Sequence, residues 1–373
     1  MAADHVAADL LGRRFRFHTA PGLFCADRVD EGTQLLLDNL PGAAPTRVLD
    51  LGCGYGALGL PVAARYPDAQ CLLVDRDTLA VEASARNGQA HGLQNVEARP
   101  SLGYRDVGDA LFDWILCNVP ARIGTPALRH FLQEGSRRLS PKGELRVVVI
   151  RDLLGELEAS GLGTRLAEGP RHAIYALGAA PSVPQVPALS IYTRDAVLLG
   201  GLRFERPTDL AEEPGHDKDG LPLLLELLPK NLKEPACVWR GGYGAVAVAL
   251  TARGASVICM DRDLLLTAFT QHNAERLGWH VQAREAPTLV QALGEGENFT
   301  LVVGELHPTA AESLNQADVL RSVIALRERG SALWLGRSRQ GQRLFDRLPA
   351  PYTARAVRVA SRGDYAVWRL QRL

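Results

Sequence analysis

The residues best suited to chemistry form a glycine-rich run followed by one acidic side chain. The run is Asp50-Leu-Gly-Cys-Gly-Tyr-Gly56, and it follows a short apolar segment. Glycines after a buried strand let the backbone turn tightly and let a ligand approach the main chain. Asp75 ends the next apolar segment, where a carboxylate can accept hydrogen bonds from both ribose hydroxyls of a nucleoside cofactor. A dinucleotide and S-adenosylmethionine both fit this spacing, and Asp75 can alternatively cap the helix that begins just beyond it.

Alternating apolar and helical segments must position these residues. The segments RVLDLG (47–52), CLLVD (71–75), FDWILCN (112–118) and GELRVVVI (143–150) are typical of buried parallel strands. The stretches between them have helical spacing, which predicts right-handed crossovers and a doubly wound, mostly parallel α/β sheet. Ligands bind such sheets at the carboxyl ends of the strands, where the glycine run and Asp75 fall.

The second half of the chain repeats the first at a nearly constant offset of 186 to 188 residues. The matching pairs are Leu40 and Leu228, Gly54 and Gly242, Asp75 and Asp261, Phe112 and Phe299, and Gly143 and Gly330. Between the halves, the Pro-rich stretch 179–190 is typical of a semi-rigid linker. We therefore predict an internal duplication, with one Rossmann-like domain at 1–178 and a second at 191–373.

The composition is that of a folded protein without an electrostatic bias. The 373 residues include 42 basic and 42 acidic side chains and are 46% hydrophobic, enough for two cores. Neither half is a basic block, so any positive surface for nucleic acid must be local. The cysteines lack CxxC spacing and the histidines lack an HxxxH pattern, so we expect no metal. The N-terminal residues lack a signal-peptide pattern and no apolar run approaches the ~20 residues of a membrane span, so we expect a cytoplasmic protein without membrane contact.

The glycine run and its surroundings resemble the class I methyltransferases that use S-adenosylmethionine. Residues 12–178 are most similar to the ribosomal RNA small-subunit guanine-N2 methyltransferases and their large-subunit relatives. The matching stretches are TAPGLFCADRVDEGTQLLL (19–37), VLDLGCGYGALGLPVA (48–63), VDRDTLAVEASARN (74–87), FDWILCNVPARIG (112–124) and KGELRVVV (142–149). The resemblance implies two tandem methyltransferase domains and S-adenosylmethionine as the cofactor, with Asp50 helping to hold its ammonium group. The cofactor-binding residues that it implies are Asp50, Gly52, Cys53, Gly54, Gly56, Asp75, Arg76, Ser101 and Asn118.

The third predicted strand ends in an altered form of the family's substrate motif, Asn-Pro-Pro-Phe. In the family, the Asn oxygen and a following backbone carbonyl accept hydrogen bonds from an exocyclic amine, and the ring stacks on the base. Here Asn118 and Pro120 are kept, and Ala121 replaces the ring. The resemblance implies that Asn118 and Pro120 are catalytic. The substrate-binding residues that it implies are Phe24, Arg28 and Arg122, although Phe24 can alternatively belong to an apolar flap over the sheet.

The second half lacks most of the residues that carry this chemistry. The replacements are Val238 for Asp50, Arg240 for Gly52 and Glu305 for Asn118. We predict a degenerate methyltransferase-like domain, kept for folding, substrate docking or regulation. The resembling family also pairs an active with a degenerate domain, but its active copy is the C-terminal one.

Two classes of function remain open from the sequence. The first is an S-adenosylmethionine-dependent N-methyltransferase that acts on a guanine exocyclic amine of ribosomal RNA, with ribosomal RNA or a ribosomal subunit as its partner. The second is an inactive or repurposed tandem Rossmann protein that binds the cofactor or RNA. An amine methyltransferase with a protein or small-molecule substrate is a narrower alternative.

Overall fold

The fold consists of two compact units, Met1–Tyr192 and Thr193–Leu373, in a computed structural model of the chain. The structure describes residues 5–180, 188–208, 215–352 and 355–372. Residues 181–187, most of the predicted linker, lie outside the described residues. The limits 1–178, 179–190 and 191–373 stay a prediction.

The first unit begins with a β-hairpin and a short helix and continues as alternating strands and helices. Its elements are β1 (His5–Leu10), β2 (Arg13–His18), α1 (Glu31–Leu37), β3 (Arg47–Leu51), α2 (Gly59–Arg65), β4 (Gln70–Asp75), α3 (Thr78–Ala90), β5 (Val96–Pro100), β6 (Phe112–Asn118), α4 (Thr125–Arg137), β7 (Leu139–Ile150), α5 (Leu154–Ser160), β8 (Thr164–Glu168) and β9 (His172–Gly178). Helix α2 begins only at Gly59, since the residues between the glycine run and Leu58 form turns.

One sheet forms the centre of this unit. Among the described residues its strand order is β5-β4-β3-β6-β7-β9-β8. Strands β3 to β7 pair in parallel, and β8 and β9 add an antiparallel edge. The order reverses between β3 and β6, which is where a doubly wound sheet opens a crevice for a ligand.

The second unit has the same plan. Its elements are β10 (Thr193–Leu199), β11 (Leu202–Pro207), α6 (Leu221–Leu227), β12 (Ala236–Trp239), α7 (Ala245–Ala252), β13 (Val257–Asp261), α8 (Leu264–Arg276), β14 (Gln282–Glu285), α9 (Leu289–Ala292), β15 (Phe299–Glu305), α10 (Glu312–Ile324), β16 (Leu326–Arg337), α11 (Ser338–Asp346), β17 (Val357–Arg362) and β18 (Tyr365–Gln371). The sheet order, β14-β13-β12-β15-β16-β18-β17, matches that of the first unit strand for strand. The predicted α/β fold, with two doubly wound and mostly parallel sheets, is therefore confirmed.

Local sequence explains why these elements form. The central strands are apolar on both faces because helices cover the sheet, and Val48, Leu73 and Leu116 are fully buried. Helices α3 and α8 each begin after an aspartate whose carboxylate accepts a backbone N–H of the first turn, Asp77 in one unit and Asp263 in the other. The repeated caps hold the loops at the carboxyl ends of the strands in equivalent positions.

Candidate active site

The glycine-rich loop joins β3 to α2. The N–H groups of Gly52 and Cys53 both donate to the Val74 carbonyl, at 2.8 and 3.0 Å, which folds the loop back over β4. Gly52 and Gly54 have φ angles of +82° and +55°. A Cβ atom added at either glycine meets no other atom within 4 Å. The loop therefore presents bare backbone to open space, as close approach of a ligand requires.

Asp75 supports this loop from the end of β4. Its carboxylate accepts hydrogen bonds from the Gly54 N–H and from the Asp77 N–H, both at 2.9 Å. The N-cap of α3 is Asp77, which accepts from the Leu79 N–H at 3.0 Å, so capping does not account for Asp75. The Asp75 carboxylate thus links the glycine loop to the start of α3 through both of its oxygens.

Asp50 lies beneath the loop with one unused oxygen. Its Oδ2 accepts from the Gly59 N–H at 2.8 Å, while Oδ1 is buried and has no hydrogen-bond partner among the described residues. Burial raises the pKa of Asp50 to about 7, and the nearby Asp75 carboxylate adds to the increase. A buried acceptor without a partner is costly, and a cationic ammonium group or a water bridge to one would satisfy it.

Two polar residues of α3 that the sequence did not single out also hold the loop. The Ser84 hydroxyl donates to the Gly54 carbonyl at 2.8 Å, and the Asn87 amide donates to the Tyr55 carbonyl at 2.8 Å. Both side chains are fully buried. Polar residues three apart on the buried face of an otherwise amphipathic helix are the signal that would have identified them.

Asn118 ends β6 with its amide nitrogen fully engaged. It donates to Asp30 Oδ2 at 2.9 Å and to Thr33 Oγ1 at 3.1 Å. Asp30 is the N-cap of α1 and also accepts from the Gly32 N–H at 2.9 Å. The two donor bonds fix the orientation of the amide and leave its Oδ1 as an acceptor. Neither Asp30 nor Thr33 was predicted, although both lie in the block that carries the family resemblance.

The segment before α1 presents an exposed aromatic ring. The Phe24 side chain is 70% exposed, and the following residue, Cys25, has a φ of +46°. The segment is pinned where the Tyr55 hydroxyl donates to the Arg28 carbonyl at 2.8 Å. The Arg28 side chain itself is exposed and pairs with Asp27 at 3.1 Å.

A cleft joins these parts. It is lined by Phe24, Cys25, Asp30, Thr33, Gly52, Cys53, Gly54, Tyr55, Ala57, Leu58 and Asn118. The structure thus brings together five of the predicted site residues, from the glycine loop, the segment before α1 and the end of β6. The predicted residues outside this lining are Arg28, Asp50, Gly56, Asp75, Arg76, Ser101, Pro120 and Arg122.

Three of the predicted residues outside the lining are Ser101, Pro120 and Arg122. The Ser101 hydroxyl is buried and serves its own turn, because it donates to the Gly103 carbonyl at 2.7 Å and accepts from the Asp106 N–H at 3.1 Å. Pro120 and Arg122 are exposed in the loop between β6 and α4. The cofactor-binding role predicted for Ser101 therefore draws no support from the orientation of its hydroxyl, and it stays a prediction.

Known proteins share this cleft-bearing unit. Residues 14–159 match the family model of the methyltransferase small domain. Over 142 residues the chain is 32% identical to the uncharacterised protein YbxB of Bacillus subtilis, a match that covers 38% of this chain and 71% of YbxB. The chain belongs to the methyltransferase small domain family. The predicted resemblance to class I methyltransferases is thereby confirmed.

Two further similarities are to ribosomal RNA methyltransferases. Over 140 residues the chain is 39% identical to the ribosomal RNA small subunit methyltransferase C of Hahella chejuensis, covering 36% of this chain and 40% of that protein. The chain thus spans less than half the length of this curated relative. A solved T. thermophilus 16S rRNA N2 methyltransferase, in complex with AdoMet and guanosine, aligns with a TM-score of 0.71 and 19% identity over 99% of this chain and 98% of that one. At that identity the likeness extends the shared fold to both units.

In this chain, the second unit carries an altered version of the glycine-rich loop. Val238 stands in place of the buried carboxylate, and Arg240 adopts a φ of +57° in place of Gly52. The Arg240 N–H donates to the Met260 carbonyl at 2.8 Å, the counterpart of the bond that Gly52 makes. Asp261 is buried, its Oδ1 accepts from the Asp263 N–H at 3.1 Å, and burial raises its pKa to about 6.

The position equivalent to Asn118 is part of an ionic network in the second unit. Glu305 Oε2 lies 2.9 Å from His216 Nε2, and His216 Nδ1 lies 3.0 Å from Asp217 Oδ1. The Tyr243 hydroxyl and the Arg206 guanidinium also bind Asp217, at 2.8 and 2.6 Å. Although burial acts in the opposite direction, Glu305 and Asp217 raise the pKa of His216 to about 10. Glu305 is therefore already bound to His216, whereas Asn118 in the first unit keeps its Oδ1 as an acceptor.

Metal clusters and membrane-spanning helices are both absent from the described part of the chain. No group of three or more His, Cys, Asp or Glu side chains there is placed to hold a metal ion. No helix within the described ranges combines the length and the apolar character needed to cross a membrane.

Proposed function

We propose that the first unit binds S-adenosylmethionine and transfers its methyl group to the exocyclic amine of a guanine in ribosomal RNA. When bound, the cofactor supplies a methyl group on a positively charged sulfur. The protein must then hold the cofactor over the glycine loop and orient the amine nitrogen beside it.

The geometry of Asn118 carries this proposal. Both amide hydrogens are committed to Asp30 and Thr33, so Oδ1 can accept a hydrogen bond from an incoming amine. Such a bond directs the nitrogen lone pair away from Asn118 and toward the cleft that the glycine loop lines. Orientation of a weak nucleophile contributes to the rate without a strong general base, because a sulfonium methyl group is a reactive electrophile. As the nitrogen–carbon bond formed, the carbon–sulfur bond would break with its electron pair left on sulfur, and the nitrogen would release one proton to water.

The residues of the first unit fit the cofactor. The bare backbone of Gly52 and Gly54 leaves room for it, and Asp75 holds this loop from the end of β4, the place where a carboxylate can bind ribose hydroxyls. The buried Oδ1 of Asp50 suits its ammonium group, directly or through water. The second unit has an arginine and a valine at two of these places, so we assign the single cofactor site to the first unit.

Names of relatives support ribosomal RNA as the substrate. The Hahella chejuensis protein is named as a small-subunit methyltransferase, and a Streptomyces coelicolor protein, 40% identical over 140 residues, is named ribosomal RNA large subunit methyltransferase G. That second match covers 35% of this chain and 37% of the relative. We therefore expect ribosomal RNA or a ribosomal subunit as the partner, in the cytoplasm, with the second unit helping to dock it.

One observation favours the alternative of cofactor binding without transfer. The ring that stacks on the base in the family is replaced by Ala121, which is exposed. Loss of such a ring removes about 1–3 kcal/mol of stacking per base. Phe24, exposed in the lining of the cleft, is the ring that can supply this stacking instead.

A methylation assay separates the two. Ribosomal RNA and small subunits from cells that lack the gene are incubated with the protein and S-adenosylmethionine carrying a tritiated methyl group. We expect label on guanine, identified by nucleoside mass spectrometry. Asn118→Ala should lower the rate by about 100-fold or more, because the amine is no longer oriented.

The matched control is Glu305→Gln, at the equivalent position of the second unit, which should keep the rate. Unchanged cofactor affinity in Asn118→Ala, measured by calorimetry, shows that the fold and the loop are intact. Cofactor binding with no label on either substrate would favour the inactive alternative, and label on a protein would favour the amine methyltransferase alternative.

A further inference from the structure

The hairpin β1–β2 packs on α3 and is tied to the cofactor loop through one side chain. The Asn87 amide accepts from the His18 N–H at 2.7 Å and donates to the His18 carbonyl at 2.9 Å. The same amide holds the Tyr55 carbonyl of the glycine loop. Whatever the hairpin binds is therefore held in a fixed relation to the cleft.

Cationic side chains cover this hairpin and the adjoining face of α3. Arg13, Arg16 and Arg86 are exposed, and within the described ranges no carboxylate lies at ion-pair distance from them. Arg14, by contrast, pairs with Asp9 at 2.5 Å. The Arg13 guanidinium lies 5.4 Å from the Phe15 ring and donates to the His91 carbonyl at 3.2 Å, so it is partly ordered without an acid. We call Arg13, Arg16 and Arg86 the hairpin arginines.

Three histidines lie among these arginines. The rings of His5 and His18 are 4.3 Å apart, and His91 Nε2 is 3.2 Å from the Arg16 carbonyl. Burial lowers the pKa of His18, and the charges of Arg86, His5, Arg16 and His91 lower it further. Burial says nothing about the sign of the charge nearby, but the neighbouring guanidinium groups make the local potential positive, although the chain as a whole carries no net charge.

The second unit provides an internal comparison. Its Asn273 holds the N–H and the carbonyl of Glu205, at 2.9 Å each, just as Asn87 holds His18. The counterpart of His18 is therefore an acid, and it lies 3.1 Å from His272 and 3.8 Å from Arg276 on α8. In the second unit, Glu205 thus offsets the positive charge of the neighbouring side chains. In the first unit, His18 at the equivalent position brings no negative charge, and the surface stays positive.

We propose that the hairpin arginines bind the phosphate backbone of the RNA substrate, an inference that rests on the proposed function. Guanidinium groups match phosphate oxygens in geometry, and phosphate contacts fix the position of a nucleic acid without reading its sequence. In a chain with equal numbers of acids and bases, a local group of arginines without acidic partners is the electrostatic footprint that RNA requires.

The experiment measures binding of a short fluorescein-labelled single-stranded RNA by anisotropy over a series of salt concentrations. The variant Arg13→Gln/Arg16→Gln/Arg86→Gln is compared with the unaltered chain. Each phosphate contact with a single strand contributes about 0.7 to the slope of log K against log salt, so loss of three contacts should make the slope shallower by about 2. At low salt we expect affinity to fall by about tenfold or more.

A control variant, Arg203→Gln/Arg339→Gln/Arg343→Gln, removes the same charge from exposed arginines of the second unit. Its slope should change by less than half as much as that of the hairpin variant. Equal slope changes in the two variants, or an unchanged slope in the hairpin variant, would overturn the inference.

Calorimetry with S-adenosylmethionine and the methylation assay distinguish this failure from failure of the proposed function. If the unaltered chain methylates ribosomal RNA and the hairpin variant keeps its salt slope, only the surface assignment is wrong. If the unaltered chain binds the cofactor but neither binds nor methylates RNA, both are wrong.

Discussion

The two glycine-rich loops share a backbone but differ in what they leave open. The loops follow β3 and β12, which are equivalent strands of the two sheets. Each loop is bonded to the neighbouring strand in the same way, through the N–H of Gly52 to the Val74 carbonyl and the N–H of Arg240 to the Met260 carbonyl. Both residues have a positive φ, +82° and +57°. The second unit therefore shows that this turn can form with arginine, at a cost of about 1–2 kcal/mol for the left-handed conformation.

This comparison teaches that glycine at position 52 is not required by the turn. A Cβ built there points into open space, so packing does not require glycine either. The remaining reason for glycine at position 52 is the open space above the loop, because a side chain there would fill the volume that a ligand needs. The same reasoning applies at Asn118, which offers an acceptor, while Glu305 is already bound to His216.

The largest expected effect comes from moving the arginine of the second unit into the first. Gly52→Arg should reduce the affinity for S-adenosylmethionine by about 100-fold or more, because the side chain enters the space above the loop. Its fold should persist, since Arg240 adopts the same conformation. Calorimetry measures the affinity, and thermal unfolding measures the stability.

A matched control separates the loss of space from backbone strain. Gly161→Arg places the same side chain at another glycine with a positive φ, +65°, and with no atom within 4 Å of an added Cβ. Gly161 ends α5, away from the residues that line the cleft. It should cost similar stability and leave the affinity unchanged. A Gly52→Arg variant that still binds the cofactor tightly would show that the loop does not form the site.

Sequence reasoning succeeded where the signal was local or repeated. Short apolar runs, helix spacing and a constant offset predicted both sheets, because a buried parallel strand and a helix leave periodic patterns that survive divergence. The glycine run and Asp75 were singled out for the same reason, since both follow strands directly, and their role at the cofactor stays a prediction. The prediction that the second loop is altered rested on single residues, such as Arg240, at aligned positions.

The hydrogen bonds that hold Asn118 and Glu305 could not be predicted from the sequence, because they join residues far apart in the chain. Asp30 and Asn118 are 88 residues apart, and their hydrogen bond depends on how α1 packs beside β6. His216 and Glu305 are similarly separated, by 89 residues. For Ser101 the structure shows only a local role, since its hydroxyl bonds within its own turn, and its contact with the cofactor stays a prediction.

A smaller effect tests whether Phe24 takes the stacking role of the aromatic ring that Ala121 replaces. Phe24→Ala should reduce kcat/KM for RNA by about 5- to 150-fold, equivalent to about 1–3 kcal/mol of stacking, and leave cofactor affinity unchanged. Phe24→Tyr should restore most of the rate, because it keeps the ring. Steady-state methylation measures both.

The control for Phe24 is Leu198→Ala, because the Leu198 side chain in the second unit is also 70% exposed. It should not change kcat/KM. If the two alanine variants behave alike, the ring at position 24 has no stacking role, and the assignment of Phe24 to a flap becomes the better one.

The smallest effect concerns the ionic network that takes the place of the open acceptor in the second unit. The pKa of His216 is raised from 6.5 to about 10 in the fold, so its contribution to stability is full below about pH 6.5 and is lost as pH rises toward 10. The free-energy difference between the unaltered chain and His216→Gln should therefore shrink by about 1–2 kcal/mol between pH 7.5 and pH 10. Urea unfolding followed by tryptophan fluorescence reports it, since Trp239, Trp279, Trp334 and Trp368 belong to the second unit.

His307 provides the control for this titration. Burial, with Arg240 and Arg262, lowers its pKa to about 2, and its Nδ1 accepts from the N–H groups of Thr309 and Ala310. Above pH 7.5 His307 is neutral in both the folded and the unfolded chain, so the destabilisation by His307→Gln should stay constant up to pH 10. A constant penalty for His216→Gln as well would mean that Glu305 and Asp217 do not hold a charged imidazole. The second unit would then have lost its acceptor to packing alone, without gaining the ion pairs that set it apart from the first.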